Sequence, residues 1–153
     1  MDASTWAAWW GAVVGSIAVA WQVFCWFRSG PRLKVRVSAN MISITPGQPI
    51  DKTLYINVDV VNVGDRPTTL TNLCGETYKN RFDRIRRKRQ KAFVVNTGPE
   101  SPIPHKLDVG ERWSAMTKQE GAKELAGSSL VYMGVVHASQ SKAKLKFVRF
   151  GEK

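Results

Sequence analysis

The sequence contains very few residues of the kinds that bind metals or form disulfides. Its 153 residues include two cysteines and two histidines. Neither His105 nor His137 has a second histidine, a cysteine or a carboxylate at the spacing of a zinc site. Cys25 and Cys74 lie in segments of different composition, so we expect no disulfide within one chain. We expect His137 to be a surface residue, because it ends a segment that is typical of a strand.

Catalytic motifs are also lacking. The chain has no glycine-rich phosphate-binding loop, no nucleophile elbow and no pair of carboxylates spaced for acid–base catalysis. Apolar residues make up 43% of the chain and charged residues 23%, which fits neither a disordered chain nor a protein buried wholly in a membrane. We therefore expect a protein that is not an enzyme and that uses no metal and no cofactor.

Acidic residues are the third scarce group, with 12 of them against 23 lysines and arginines, and the basic residues avoid the N-terminal region. Residues 6–27 carry no charge, and five of the six tryptophans lie within the first 26 residues. A helix of this length spans about 33 Å, enough for a hydrocarbon core of about 30 Å. The pattern predicts a transmembrane helix over residues 6–27. A cleaved signal peptide is the competing interpretation, and the absence of a basic residue before Arg28 disfavours it.

The charges that flank the span predict its orientation. Asp2 is the one charge before it, whereas Arg28, Arg32, Lys34 and Arg36 follow closely. Because basic residues resist translocation, we expect a single-pass protein of the inner (cytoplasmic) membrane with its N-terminus outside. The predicted parts are a short extracytoplasmic N-terminus (1–5), the transmembrane helix (6–27), a juxtamembrane linker (28–32) and a cytoplasmic β-domain (33–153).

The pattern of apolar residues changes after the linker from helical to alternating. Leu33, Val35 and Val37 alternate with polar residues, and so do the apolar residues from Leu54 to Val60. About six to eight short strands separated by turn residues predict an all-β fold, an antiparallel immunoglobulin-like β-sandwich preceded by the transmembrane helix. We expect Trp113, which lies outside the span, in the core of this domain.

The order of these features resembles a known group of proteins. The span is followed by Pro31-Arg32-Leu33, a strand runs into the turn from Asn62 to Pro67, and Leu107 precedes a turn at Gly110. In this order the chain resembles small, uncharacterised bacterial or phage single-pass membrane proteins with an immunoglobulin-like domain. The resemblance implies a β-sandwich tethered to a prokaryotic inner membrane, and it implies no catalytic residue.

Basic residues form three clusters, after the span, from Arg81 to Lys91, and near the C-terminus. The middle cluster has seven cations against Asp83, which repel one another unless an anionic surface compensates them. Anionic headgroups of the cytoplasmic leaflet, nucleic acid and an acidic protein all qualify as that surface, and a loop that contacts only solvent is the alternative. The residues expected to bind an anionic surface are Arg81, Arg84, Arg86, Arg87, Lys88, Arg89, Lys91, Lys34, Arg36, Lys144 and Lys146.

Four of these cations lie on the first and last predicted strands. Lys34 and Arg36 belong to the first strand, and Lys144 and Lys146 belong to the last. If the two strands are neighbours, we expect their outward faces to form one basic patch. Together, the span and the basic clusters predict a membrane-anchored binding or scaffolding protein with a protein partner. The alternative is a membrane-tethered nucleic-acid-binding protein that uses Arg81 to Lys91.

Small residues collect on one face of the predicted span when its residues are projected as a helix. Gly11 and Gly15 have the spacing that lets two helix backbones approach closely, and Ala18 and Gln22 lie on the same face. The amide of Gln22 is suited to a hydrogen bond across such an interface. We predict a helix–helix interface through these four residues, with a second copy of the chain or with a partner helix.

Replacement of Gly11 and Gly15 by leucine is expected to abolish this association, because leucine side chains would hold the two backbones apart. A membrane two-hybrid assay measures the effect. Val13→Leu, on another face of the helix, is the matched control and should leave association unchanged. Equal association of the double variant and the native span would contradict the predicted interface.

Overall fold

A computed structural model describes residues 3–44, 46–47 and 49–151, without the side chains of residues 3, 27, 28 and 141. The described chain divides into two compact units, one up to Gly30 and one from Pro31, so the boundary falls within the predicted linker. The predicted orientation of the span depends on the charges of Asp2 and Arg28. Asp2 and the side chain of Arg28 lie outside the described residues.

The first unit contains one long helix, α1 (Ala3–Arg28). Within it, Ser4–Trp26 is long and apolar enough to cross a membrane, with a mean hydropathy of 1.4. The side chains from 4 to 26 are all exposed, tryptophans included. The apolar helix expected over residues 6–27 is confirmed, and it begins three residues earlier and ends one residue later than predicted.

The second unit is rich in strands, as the alternating pattern predicts. Two short helices interrupt the strands within the described residues. The elements are β1 (Leu33–Ile42), β2 (Leu54–Asn62), β3 (Thr68–Tyr78), α2 (Arg81–Ile85), β4 (Lys91–Val95), β5 (His105–Leu107), β6 (Arg112–Lys118), α3 (Gln119–Ala126), β7 (Leu130–His137) and β8 (Gln140–Phe147).

The strands form two antiparallel sheets. The first sheet has the order β1-β2-β6, and the second has the order β4-β3-β7-β8. β7 occupies one edge of β3 along most of its length, while β4 and the short β5 share the other edge. Every strand pair is antiparallel, so the coarse prediction of an antiparallel β-domain is confirmed.

One hydrophobic core draws side chains from both sheets. Because side chains in a strand alternate between faces, every second residue of β2 from Ile56 onward is buried, as expected from the sequence. In β1 the alternation places Leu33 and Val35 in the core, and the later residues of that face become progressively more exposed. Trp113 is also buried, and its place in the core is confirmed. The core includes Leu33, Val35, Ile56, Val58, Val60, Leu70, Leu73, Leu107, Trp113, Ala115, Val131, Met133, Val135 and Val148.

The strand directions show at which end of the domain α2 lies. β1 begins beside the end of β2, where the amide of Val63 donates a hydrogen bond to the carbonyl of Arg32 at 2.7 Å. β3 starts at this end and runs for 11 residues, about 35 Å, before α2 begins. α2 therefore lies at the end of the domain opposite Pro31.

The first and last strands are neighbours, although they belong to different sheets. The ammonium of Lys144 donates a hydrogen bond to the carbonyl of Leu33 at 3.0 Å. Lys34 and Arg36 alternate with buried Leu33 and Val35, so their side chains lie on the outer face of the first sheet. This much agrees with the predicted arrangement of the two strands.

The prediction of one merged basic patch is wrong, because the lysines of β8 lie on the other face of their strand. Lys144 is opposite Val135 and Lys146 is opposite Met133, and directly opposed residues share a face. That face carries the buried core residues of β7. Phe147 takes the outer face instead, where its ring packs 5.4 Å from that of Tyr132.

The expectation that His137 lies at the surface is also wrong, since only 2% of the residue is exposed. β7 is an inner strand of its sheet, so even its last residue is covered. The Nδ1 atom of His137 lies 3.4 Å from the hydroxyl of Thr68. Burial lowers the pKa of His137, and the nearby charge of Lys144 lowers it further, so the imidazole is neutral at physiological pH.

Gly134 in β7 is required by the close approach of β8. A Cβ atom at this position would overlap the main-chain oxygen of Lys144. We expect Gly134→Ala to lower the free energy of unfolding by about 1–3 kcal/mol, because the backbone of β8 would have to move. Gly121→Ala in α3 is the control, since its Cβ would meet nothing within 4 Å and alanine favours a helix. Denaturant unfolding followed by circular dichroism compares the two variants, and equal stabilities would contradict the close approach.

Candidate anion-binding groove

A groove of about 750 Å³ lies on the outer face of the second sheet. Its floor is formed by outward-facing side chains of β3, β4 and β7. Cys74 of β3 lies opposite both Val94 of β4 and Gly134 of β7, and directly opposed residues share a face of the sheet. Its basic wall comes from the connection between β3 and β4 and from the start of β8. The lining includes Cys74, Glu76, Arg84, Arg87, Arg89 and Lys142.

The connection between β3 and β4 folds back over this face. Two residues separate the end of β3 from α2 (Arg81–Ile85), and the amide of Lys88 then donates a hydrogen bond to the carbonyl of Asp83 at 2.8 Å. Arg87 adopts a left-handed backbone conformation with φ 56°, which reverses the chain. The amide of Gln90 donates to the carbonyl of Thr77 at 2.9 Å and returns the chain to the sheet. The basic segment is therefore ordered by its own backbone hydrogen bonds.

Arg84 attaches α2 to the sheet. Its guanidinium carbon lies 4.1 Å from the centroid of the Tyr132 ring, and its Nη2 atom donates to the carbonyl of Leu145 at 3.2 Å. Tyr132 is buried beneath it and belongs to an aromatic cluster with Tyr78 and Phe147. A stacked arginine of this kind contributes about 0.5–2 kcal/mol. Arg84 thus fixes one wall of the groove on β7 and β8.

Glu76 is the one carboxylate among the described residues of the groove, and it already has partners. Arg89 lies 3.4 Å from one of its oxygens, and the hydroxyl of Tyr78 donates to the other. Burial and then this hydrogen bond raise the pKa of Tyr78 to about 12, so the phenol stays protonated. The acidic group in the groove is therefore neutralised from within the domain.

The groove keeps an excess of positive charge. Four cations, Arg84, Arg87, Arg89 and Lys142, face the single carboxylate of Glu76. Within the described part of the chain, the side chains of Arg87 and Lys142 make neither an ion pair nor a hydrogen bond. Both are thus available to an external anion.

The floor between these cations is largely apolar. Val94 is 66% exposed there, and Val136 and Leu145 lie nearby. Cys74 completes the floor, and burial together with the charge of Glu76 raises the pKa of its thiol to about 11. A thiol with this pKa is neutral at physiological pH and is a poor nucleophile. The groove is suited to binding a group that is both anionic and apolar, rather than to covalent chemistry.

The structure distributes the predicted anion-binding residues over several surfaces. Arg84, Arg87 and Arg89 line the groove, whereas Arg81, Arg86 and Lys88 are exposed outside its lining. The ammonium of Lys91 reaches the carbonyl of Leu125 in α3 at 3.4 Å. Those that do not line the groove are Arg81, Arg86, Lys88, Lys91, Lys34, Arg36, Lys144 and Lys146.

Two charged residues that line the groove, Lys142 and Glu76, were not predicted. Lys142 belongs to the C-terminal basic cluster, but only the pairing of β8 with β7 brings it beside the connection from β3. Glu76 lies three residues after the apolar Leu73 in β3, and the residues around it form no recognisable sequence motif. The predicted helix interface of Gly11, Gly15, Ala18 and Gln22 belongs to the other unit and stays a prediction.

Among the described residues, no group of three or more histidines, cysteines, aspartates or glutamates is arranged to hold a metal ion. The chain matches no protein-family model and no curated protein.

The raised pKa of Cys74 predicts the pH dependence of its alkylation. In the Cys25→Ser protein, the rate with iodoacetamide should rise about tenfold per pH unit up to about pH 11, because only the thiolate reacts. Glu76→Gln should move the inflection to lower pH, since it removes a charge that opposes the thiolate. The unfolded protein is the control, with an inflection near the ordinary value of 9.0. An inflection near 9 in the folded protein would contradict the buried environment.

Proposed function

We propose that this protein is a membrane-anchored binding protein. In this proposal α1 spans the inner membrane, and the β-domain binds an acidic segment of a partner protein through the groove at the cytoplasmic surface. The observation that carries the proposal is the excess of cations over an apolar floor, in a groove whose own carboxylate is already compensated. A partner held in this way would be concentrated at the membrane, which is the action of a scaffold.

The exposure of α1 supports the membrane anchor. Its large apolar side chains lie in solvent over Ser4–Trp26, and an apolar surface of this size is unfavourable in water. A bilayer would cover all sides of such a helix. The basic residues after the span favour a cytoplasmic β-domain with the N-terminus outside.

The strand order supports an immunoglobulin-like β-sandwich. Domains of this class place their first, second, fifth and fourth strands in one sheet, in that order, and their third, sixth and seventh in the other. β1, β2 and β6 correspond to the first three of the former set, and β3, β7 and β8 correspond to the latter, with β4 as an added strand beside β3. β5 departs from the pattern, because it pairs with β3 rather than with β6.

The lining of the groove favours an acidic polypeptide over nucleic acid. Single-stranded nucleic acid binds by stacking its bases on exposed aromatic rings. Two aromatic residues line the groove, and neither offers a free ring: Tyr78 is buried, and Phe93 packs against the core. Val94 and Leu145 present aliphatic surface instead. Carboxylates paired with Arg87 and Lys142, together with an apolar side chain over Val94, would use the whole groove.

Reversal of the two available cations tests this function. Arg87→Glu with Lys142→Glu should weaken binding of a fluorescent glutamate-rich peptide that contains leucines by about tenfold or more. Lys34→Glu with Arg36→Glu changes the net charge equally but lies on the first sheet, and it should retain most of the affinity. Fluorescence anisotropy over a salt series measures both variants in the full-length protein.

Two results would contradict the proposal. Equal weakening by the two double variants would mean that net charge, and not the groove, attracts the peptide. Binding of single-stranded DNA in preference to the peptide, lost in Arg87→Glu with Lys142→Glu, would make the protein a membrane-tethered nucleic-acid binder.

A further inference from the structure

The side of α2 that is turned from the groove carries two apolar side chains in solvent. Phe82 is 77% exposed and Ile85 is 79% exposed, more than any other large apolar residue described in the β-domain. They are three positions apart, so they lie on the same side of the helix. Burial of such side chains is favourable, and the β-domain itself leaves both of them exposed.

The orientation of α2 is the reverse of an ordinary surface helix. Such a helix turns its apolar side toward the core and its charges toward water. In α2 the charged Arg84 contacts the sheet, stacked on Tyr132 and bonded to Leu145, while Phe82 and Ile85 stay exposed. The exposed pair therefore results from a specific attachment of the helix and not from a lack of contact with the domain.

Cations surround the exposed pair. Arg81, Arg86 and Lys88 have exposed side chains, and across the described ranges none of them forms an ion pair or a side-chain hydrogen bond. We define the α2 tip as Arg81, Phe82, Ile85, Arg86 and Lys88. It combines two protruding apolar groups with three cations, at the end of the domain opposite Pro31.

We propose that the α2 tip binds the surface of an anionic lipid bilayer by inserting Phe82 and Ile85 below the headgroups. An apolar face with basic neighbours lies at the boundary of headgroups and acyl chains, about 5–10 Å deep. Each cation near anionic lipid adds to the attraction between the tip and the bilayer. A protein partner would need a large complementary surface, whereas a bilayer can accept two exposed apolar side chains with cations beside them, so the composition of the tip favours a bilayer. This contact does not use the groove and holds whether or not the groove binds a partner.

A fluorophore on the tip tests the insertion. In full-length protein with Cys25→Ser and Cys74→Ser, Ile85→Cys is labelled with the environment-sensitive dye NBD and reconstituted in nanodiscs of phosphatidylcholine. Vesicles of phosphatidylcholine with phosphatidylglycerol should shift the emission to the blue and raise its intensity, and high salt should reverse the change. Val94→Cys, labelled in the groove, is the matched control and should not respond.

Unlabelled variants measure the affinity. Phe82→Ser with Ile85→Ser should reduce the flotation of the nanodiscs with phosphatidylglycerol vesicles by about tenfold or more. Arg81→Gln with Lys88→Gln should reduce it mainly at low salt. Both variants replace exposed side chains, so circular dichroism should show an unchanged fold. Repeating the emission measurement in nanodiscs that contain phosphatidylglycerol shows whether the bilayer that holds α1 supplies the contact.

Three results would overturn the inference. The first is no change in NBD emission in either arrangement with phosphatidylglycerol. The second is an equal change with pure phosphatidylcholine vesicles, which would remove the role of the cations. The third is a change caused by the acidic peptide or by single-stranded DNA but not by vesicles, which would assign the tip to a macromolecule.

Discussion

The guanidinium of Arg84, stacked on the ring of Tyr132, determines which side of the basic segment between β3 and β4 faces the sheet. The seven cations from Arg81 to Lys91 repel one another, and backbone hydrogen bonds within the segment keep it folded. Because Arg84 is held over β7 and bonded to the carbonyl of Leu145, the segment acquires two distinct sides. One side forms the wall of the groove, and the other holds the apolar pair in solvent.

The aromatic cluster beneath Arg84 also explains the unexpected orientation of β8. Tyr78, Tyr132 and Phe147 cover part of the outer face of the second sheet, which gives apolar side chains of β8 a place to pack on that face. The lysines that alternate with them then take the other face, where Lys144 reaches the carbonyl of Leu33 at the open edge. A lysine can occupy such a position because its ammonium finds a carbonyl while its methylene groups cover apolar surface.

The two proposed contacts differ in the anion that they select. The groove is concave, with an apolar floor and cations at defined positions, which favours a peptide that carries carboxylates beside an apolar side chain. The α2 tip presents two largely exposed apolar side chains among cations, which favours a surface into which they can insert, such as the headgroup region of a bilayer. A protein anchored by α1 would thereby combine a partner site with a second attachment to lipid.

The sequence by itself determined the apolar helix, the strands with their buried faces, and the place of Trp113 in the core, because each depends on local periodicity or on one large apolar side chain. Tertiary structure alone decided which cations share a site. Lys142 joins Arg87 through the pairing of β8 with β7, and that same register turns Lys144 toward the core side. Strand order and register follow from long-range packing, and a register shift of one residue moves every side chain of a strand to the other face. The composition of β8 therefore does not determine which of its side chains face the core.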